Sequence, residues 1–176
     1  ADTDGHGENT AVGYAALAEA TSGTNNTAVG ASAISLGQVT GDYNTAIGNL
    51  AGASITGGSS NNMLGAFAGD SITTGDNNTA VGNAALATNA FGDRNIAIGG
   101  NALATLATAN NVGDNVAVGY NTGASMNTGT NNVLLGNYAG DGLTTGVDNV
   151  AIGNFALSAA NAGNRSVAIG KQALNA

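Results

Sequence analysis

A glycine-ended pentapeptide, Asn-(Thr/Val)-Ala-(Val/Ile)-Gly with local variation, returns ten times along this chain. Its glycine falls at Gly13, Gly30, Gly48, Gly65, Gly82, Gly99, Gly119, Gly136, Gly153 and Gly170. The steps between them are 17, 18, 17, 17, 17, 20, 17, 17 and 17 residues. Self-similarity at a short fixed period marks a stacked repeat architecture, because so small a unit cannot bury an apolar face alone. The copies form a single repeat domain over residues 9–176, behind a leader of residues 1–8. The one irregular step places an insertion near residues 103–112. Ala1 in place of Met points to a processed product or a piece of a longer chain.

Each position in the unit has a physical job. Before the glycine sits a branched apolar residue in every copy, from Val12 and Val29 to Ile152 and Ile169. Two residues earlier stands Thr or a β-branched aliphatic, except at Asn62. Between them lies Ala, replaced by Met63 and Leu134 in two copies. This is period two rather than 3.6, so it predicts a strand. The two flanking positions share one face, and that face is expected to point inward. The glycine then ends the strand where a bend or a close backbone approach excludes a Cβ. The following Ala-(Leu/Ile/Gly) segment predicts a second short strand, and a Ser/Thr/Asn-rich turn leads to the next copy. Glycine every seven to ten residues argues against a helical repeat, at about 1 kcal/mol each inside a helix. The expected fold is therefore all-β: a parallel β-solenoid, or β-roll, of about ten 17-residue coils. Coils stacked at about 4.8 Å give a rod roughly 45–50 Å long.

An Asn four residues before the glycine recurs in nine copies: Asn9, Asn26, Asn44, Asn61, Asn78, Asn95, Asn115, Asn132 and Asn149, with Ser166 in the tenth. Amides stacked at strand spacing can hydrogen-bond to one another, so these are expected to form a structural ladder.

Composition narrows the function. With no Cys there is no disulfide scaffold, thiolate metal site or cysteine nucleophile. Three Lys and Arg against 11 Asp and Glu, a formal charge of −8, are the wrong sign for a nucleic-acid binder. No apolar run reaches the roughly 20 residues of a membrane-spanning helix. Ala is the commonest residue in the hydrophobic 43%, so each coil encloses a thin core and leaves small-residue faces. Self-association is expected, as a parallel bundle with the repeats of each chain in register. Six residues follow Gly170, so a following copy would set its Gly13 nineteen residues on, inside the 17–20 range. This predicts a slice of a longer fibre, or end-to-end stacking into a filament.

Asn164-Arg165-Ser166-Val167-Ala168-Ile169-Gly170 and Asn149-Val150-Ala151-Ile152-Gly153 resemble the head repeats of YadA-type trimeric autotransporter adhesins, whose hallmark is Ser-Val-Ala-Ile-Gly. The form Asn9-Thr10-Ala11-Val12-Gly13-Tyr14-Ala15-Ala16-Leu17 is also similar to repeats of phage tail fibres and of surface fibres carrying endosialidase-type chaperone tails. The resemblance covers essentially the whole chain. It implies a left-handed β-roll, a homotrimer, and an extracellular role at a cell surface or on a virion. The family repeat is commonly shorter, so a turn must be enlarged here.

Catalytic chemistry is scarce. His6 is the single histidine, and no Gly-x-Ser-x-Gly elbow exists. Asp2, Asp4 and Glu8 lack a complete calcium-loop pattern. Asp42, Asp76, Asp93 and Asp114 each follow a glycine, which is ordinary turn chemistry with a weakly cation-binding acidic edge as the alternative. Gly57-Gly58 lacks the Lys-Ser/Thr of a phosphate-binding loop. Tyr14, Tyr120 and Tyr138 could stack on sugars, though nothing in the sequence places them together. The chain therefore reads as a structural or adhesive fibre segment, a stiff self-associating rod without catalytic residues, cofactor or metal. Its partners would be itself and a host-surface glycan or protein, without nucleic acid or membrane insertion. The alternative is an ice- or glycan-binding solenoid. Ice binding needs a regular outward Thr array, whereas Thr gives way to Val and Ile in later copies, as an inward position would. The candidate binding loop is the insertion, at Thr105, Thr108, Asn110 and Asn111, since solenoid insertions bulge from one face.

Overall fold

The computed structural model describes residues 7–106, 113–159 and 163–175. Each repeat contributes one three-residue strand ending just before its glycine. These are β1 (Thr10–Val12), β2 (Thr27–Val29), β3 (Thr45–Ile47), β4 (Asn62–Leu64) and β5 (Thr79–Val81). Then follow β6 (Ile96–Ile98), β7 (Val116–Val118), β8 (Val133–Leu135), β9 (Val150–Ile152) and β10 (Val167–Ile169). They form one ten-stranded parallel sheet in chain order. The fold is a β-solenoid of parallel rungs, as the repeat predicts. Register is strict: Thr10 lies beside Thr27, Ala11 beside Ala28 and Val12 beside Val29. Even the 20-residue step keeps it, with Ile96 beside Val116 and Ile98 beside Val118.

Two expectations are overturned. The first is the second strand. Among the described residues, each rung has only one strand, and the segment after the glycine is a double turn. Residues two and four after the glycine take left-handed backbone, as at Ser32 (φ 56°) and Ile34 (φ 45°). Their N–H groups still bond between rungs. Ser32 donates back to the Tyr14 carbonyl at 2.8 Å, and Ile34 donates forward to Ala51 at 3.1 Å. Turns can therefore stack like strands while reversing the chain in fewer residues. A non-glycine residue in left-handed backbone costs roughly 1–2 kcal/mol, and these inter-rung bonds together with burial of Ile34 offset it.

The second correction is the facing of the strands. The middle residue points inward: Ala28, Ala46, Ala80, Ala97, Ala117 and Ala151 are fully buried. The flanking Thr and Val/Ile columns point outward, with Val12 at 56% and Leu64 at 49% exposed. A three-residue strand presents one side chain to one face and two to the other. The space between the sheet and the turn wall is narrow. It takes Ala from the strand, Ala three after the glycine (Ala33, Ala51, Ala85) and Leu or Ile four after it (Ile34, Leu86, Leu103). Two branched residues per strand would overfill it.

The strand-ending glycine is forced twice over. In rung five, Gly82 has φ +128°, and a Cβ there would lie 2.7 Å from the Gly99 carbonyl carbon. Stacked glycines let one rung's carbonyl sit against the next rung's backbone.

Candidate functional site

The inside of the rod is occupied by structure. The side-chain oxygen of Asn61 accepts from the Asn78 backbone N–H at 3.0 Å and from the Asn78 side-chain amide at 3.1 Å. That amide also donates to the Gly92 carbonyl at 2.8 Å. The same set links Asn26, Asn44 and Asn61, and then Asn115, Asn132 and Asn149. Asn9 joins at one end by accepting from the Asn26 N–H, and Asn95 links Asn78 to Asn115. At the other end the Ser166 N–H donates to Asn149. From Asn26 to Asn149 these residues are fully buried and their amides are committed to one another, so they offer nothing to a ligand.

A second ladder runs on the turn side. Asp42 accepts from the Thr24 N–H at 2.7 Å, Asp76 from Ser59 at 2.7 Å and Asp93 from Asp76 at 2.8 Å. Asp114 lies in the neighbouring column, where the Arg94 guanidinium grips it at 2.7 and 2.9 Å. The hydrogen bond from Arg94 holds the Asp114 carboxyl below its usual range. Among the described residues no group of three or more His, Cys, Asp or Glu could hold a metal ion, and no ligand-sized cavity is present.

Sequence reasoning missed Asp70 and Asp141, each five residues after a rung glycine and preceded by Ala-Gly. Each keeps one buried carboxylate oxygen without a partner, and burial pushes both carboxyls above their ordinary range. The signal for them was the repeated Ala-Gly-Asp at residues 68–70 and 139–141.

The aromatic residues are partly brought together. Tyr120 meets Tyr138 edge-on with ring centroids 5.6 Å apart, and Tyr138 stacks flat on Phe155 at 4.7 Å. Tyr14 stands far off on the first rung, 83% exposed. Because Tyr138 and Phe155 cover each other's faces, the cluster braces one corner of the rod rather than opening a platform to a sugar ring.

Of the candidate binding loop, Thr105 is described, and its hydroxyl donates to the Ala124 and Met126 carbonyls at 2.6 and 3.2 Å. It ties its rung to the next one. Thr108, Asn110 and Asn111 lie outside the described residues, as do His6, Asp2 and Asp4.

What remains is the outward sheet face, where sequence reasoning had placed the core. One column runs Thr10, Thr27, Thr45, Asn62, Thr79 and then Ile96, Val116, Val133, Val150, Val167. The other runs Val12, Val29, Ile47, Leu64, Val81, Ile98, Val118, Leu135, Ile152, Ile169. Neither column holds a charged residue. Contiguous apolar surface of this kind makes the sheet face the candidate interaction surface. Among the described residues no helix is long and apolar enough to cross a membrane. The chain matches no family model, no curated protein and no solved structure.

Proposed function

We propose that this chain is a structural and adhesive segment of an extracellular fibre, on a cell surface or a virion. In this reading it is a stiff rod, not an enzyme, and it associates laterally with its own copies through the outward sheet face. The single observation that carries it is the pair of outward columns, aliphatic on every rung in at least one position and free of charge. Such a face is costly in water and is covered when two or more rods align their equal rung spacing. The resemblance to trimeric adhesin heads favours three chains, with the charged turns left outside to meet a host glycan or protein. Sedimentation of the purified chain at micromolar concentration tests the association: a homotrimer is the expected species, and a monomer overturns it. Attachment is tested with rod-coated beads on host cells and glycan arrays, where binding no greater than that of uncoated beads removes the adhesive half of the reading.

A second reading has one observation in its favour. Thr10, Thr27, Thr45 and Thr79 face outward rather than inward, so an ice-binding array on the first five rungs is sterically open. Thermal hysteresis in a nanolitre osmometer decides it; its absence leaves the fibre reading alone.

A further inference from the structure

We infer that Asn77 is an acceptor for N-linked sugar: its side-chain amide takes a glycosyl group from a donor whose anomeric carbon carries a diphosphate leaving group. An asparagine followed two residues later by Thr or Ser, with no proline between, is the pattern such transferases read. The chain holds it three times, at Asn25-Asn26-Thr27, Asn77-Asn78-Thr79 and Asn164-Arg165-Ser166. The structure separates the three. Asn77 is exposed on the turn before β5, in left-handed backbone at φ 59°. Its backbone N–H donates to the Ser59 carbonyl at 3.0 Å, while among the described residues its side-chain amide has no hydrogen-bond partner. Asn25, by contrast, is half-buried, and its amide donates to the Thr24 hydroxyl at 3.1 Å. The Asn164 side-chain oxygen accepts from the Val147 N–H at 2.8 Å, which ties its rung to the one before. Between Asn77 and Thr79, Asn78 is locked into the buried ladder, so the flanking side chains are held on the outside. Thr79 is only half-buried, and among the described residues its hydroxyl is unbonded. Both groups that a transferase reads are therefore open.

The surroundings suit a sugar. The place five residues before the rung glycine, which Asn77 fills in its rung, is filled in later rungs by Arg94, Asp114, Asp148 and Arg165, all exposed. A glycosyl group on Asn77 therefore stands in water on the charged turn edge, clear of the packed interior. In the lateral bundle proposed above the same turns stay outside, so the acceptor is open in single rods and in bundles alike. The step is a substitution at carbon. Nδ2 of Asn77 bonds to the anomeric carbon, the bond from that carbon to the diphosphate oxygen breaks, and the diphosphate leaves with the electron pair. The proton lost from the amide goes to a base of the transferase. No ladder bond is given up, because the Asn77 side chain makes none. The repeat also supplies a control. Asn131 occupies the same place, exposed and at φ 58°, but Val133 stands where Thr79 does and the hydroxyl is missing.

The test is co-expression of the 176-residue chain with a soluble asparagine glucosyltransferase that draws on UDP-glucose and, separately, its export behind a cleavable signal past a membrane oligosaccharyltransferase. Peptide mapping by mass spectrometry reads each site, and the mass added, one hexose or an oligosaccharide, tells which donor served. The expected result is sugar on Asn77 at higher occupancy than on Asn25 or Asn164, and none on Asn131. Thr79→Val should abolish it with an unchanged circular dichroism spectrum, because Val already fills that column at Val116, Val133, Val150 and Val167. Thr79→Ser should retain it, and Val133→Thr should open Asn131 to the same modification. Asn77 left bare in both systems overturns the inference. So does sugar that persists on Asn77 in Thr79→Val, or sugar carried by Asn25 or Asn164 in preference to Asn77.

Discussion

The Met63 side chain occupies the space that a side chain at Gly69 would need: a Cβ on Gly69 would lie 2.9 Å from Met63 Cγ and 3.1 Å from its sulfur. Met63 is 1% exposed and stands where most rungs place Ala. The rung before it makes the same concession at Gly52, whose Cβ would meet the Met63 methyl at 2.9 Å. Leu134 repeats the arrangement with Gly123 and Gly140. The interior is therefore filled by two alternative solutions. In one, the strand supplies Ala and the turn supplies Leu or Ile. In the other, two neighbouring turns supply Gly, and the space is shared between Met63 or Leu134 from the strand and a large residue three positions after the glycine, Ile55 and Ile72 or Met126 and Leu143.

This predicts a measurable coupling. Met63→Ala should cost about 2–5 kcal/mol through an unfilled cavity, and Gly69→Leu about 1–3 kcal/mol through overpacking. The double variant lets the leucine side chain introduced at Gly69 take the space Met63 vacates beside Ile72 and should recover at least about 1 kcal/mol relative to additivity. Chemical denaturation of the four proteins gives the cycle. Simple addition of the two losses would show that the sites do not share the space.

The repeat made the rung count, the parallel pairing and the Asn ladder legible, because each follows from spacing alone. Facing was not legible, because strict alternation says which residues share a side and not which side is wet. Val and Ile at the flanks suggested a core, whereas the room inside admits only Ala28 and its equivalents. The left-handed turns were hidden for a related reason. Leu86 and Phe155 are poor choices for positive φ (55° and 56°), so propensity pointed to a strand. Inter-rung bonding, such as Leu86 N–H to the Ala102 carbonyl at 2.9 Å, overrides it. The same inversion hid the candidate interaction face, which was assigned to the interior.

The Asn ladder should be intolerant at its centre. Asn78 is fully buried and both halves of its amide are engaged, with Asn61, Asn95 and the Gly92 carbonyl. Asn78→Ala leaves those partners unsatisfied and should cost about 2–4 kcal/mol. Asn78→Asp should cost more at neutral pH, since it turns an oxygen toward the Gly92 carbonyl and the Asn61 oxygen, and should recover in part as acid protonates it. Thermal melts at two pH values read both effects. Equal stability of the two variants at neutral pH would mean that the amide's donors are dispensable.

Backbone crowding separates internal glycines from the last one. Gly82→Ala forces a Cβ against the Gly99 carbonyl and strains a φ of +128°, whereas Gly170→Ala carries the strain alone. Gly82→Ala should therefore destabilise the rod by at least about 2 kcal/mol more than Gly170→Ala. Matching denaturation midpoints for the two would contradict the stacked-carbonyl account.

Asp70 and Asp141 give a pH dependence of definite sign. Burial raises both carboxyls above the ordinary 3.8, so the folded chain holds these protons more tightly than the unfolded chain does. Their favourable contribution is present below the unfolded-state value and is lost as pH rises through the folded-state value. Replacing both with Asn should stabilise the rod at neutral pH, by less than about 1 kcal/mol each because solvent screens partly exposed carboxylates. At pH near 3 the gain should vanish. The check is the difference in melting temperature between variant and wild type across pH, and a difference that does not change with pH would remove burial as the cause.

The outward face and the fold should respond separately to charge. Ile98 is 38% exposed in the middle of the sheet, away from both ends of the rod and outside the packed interior. A lysine there keeps its stem along the sheet and its ammonium in water, so Ile98→Lys should change single-chain stability by about 0.5 kcal/mol or less. In an aligned bundle the same ammonium meets its own copies across the seam, unpaired and dehydrated. Lateral association should therefore fall by several orders of magnitude while rung stacking within each chain continues. Sedimentation paired with circular dichroism distinguishes the two: loss of the wide species with an unchanged β spectrum is the expected result. A bundle that survives Ile98→Lys intact would place the seam on another side of the rod, and the aliphatic columns would need a different occupant.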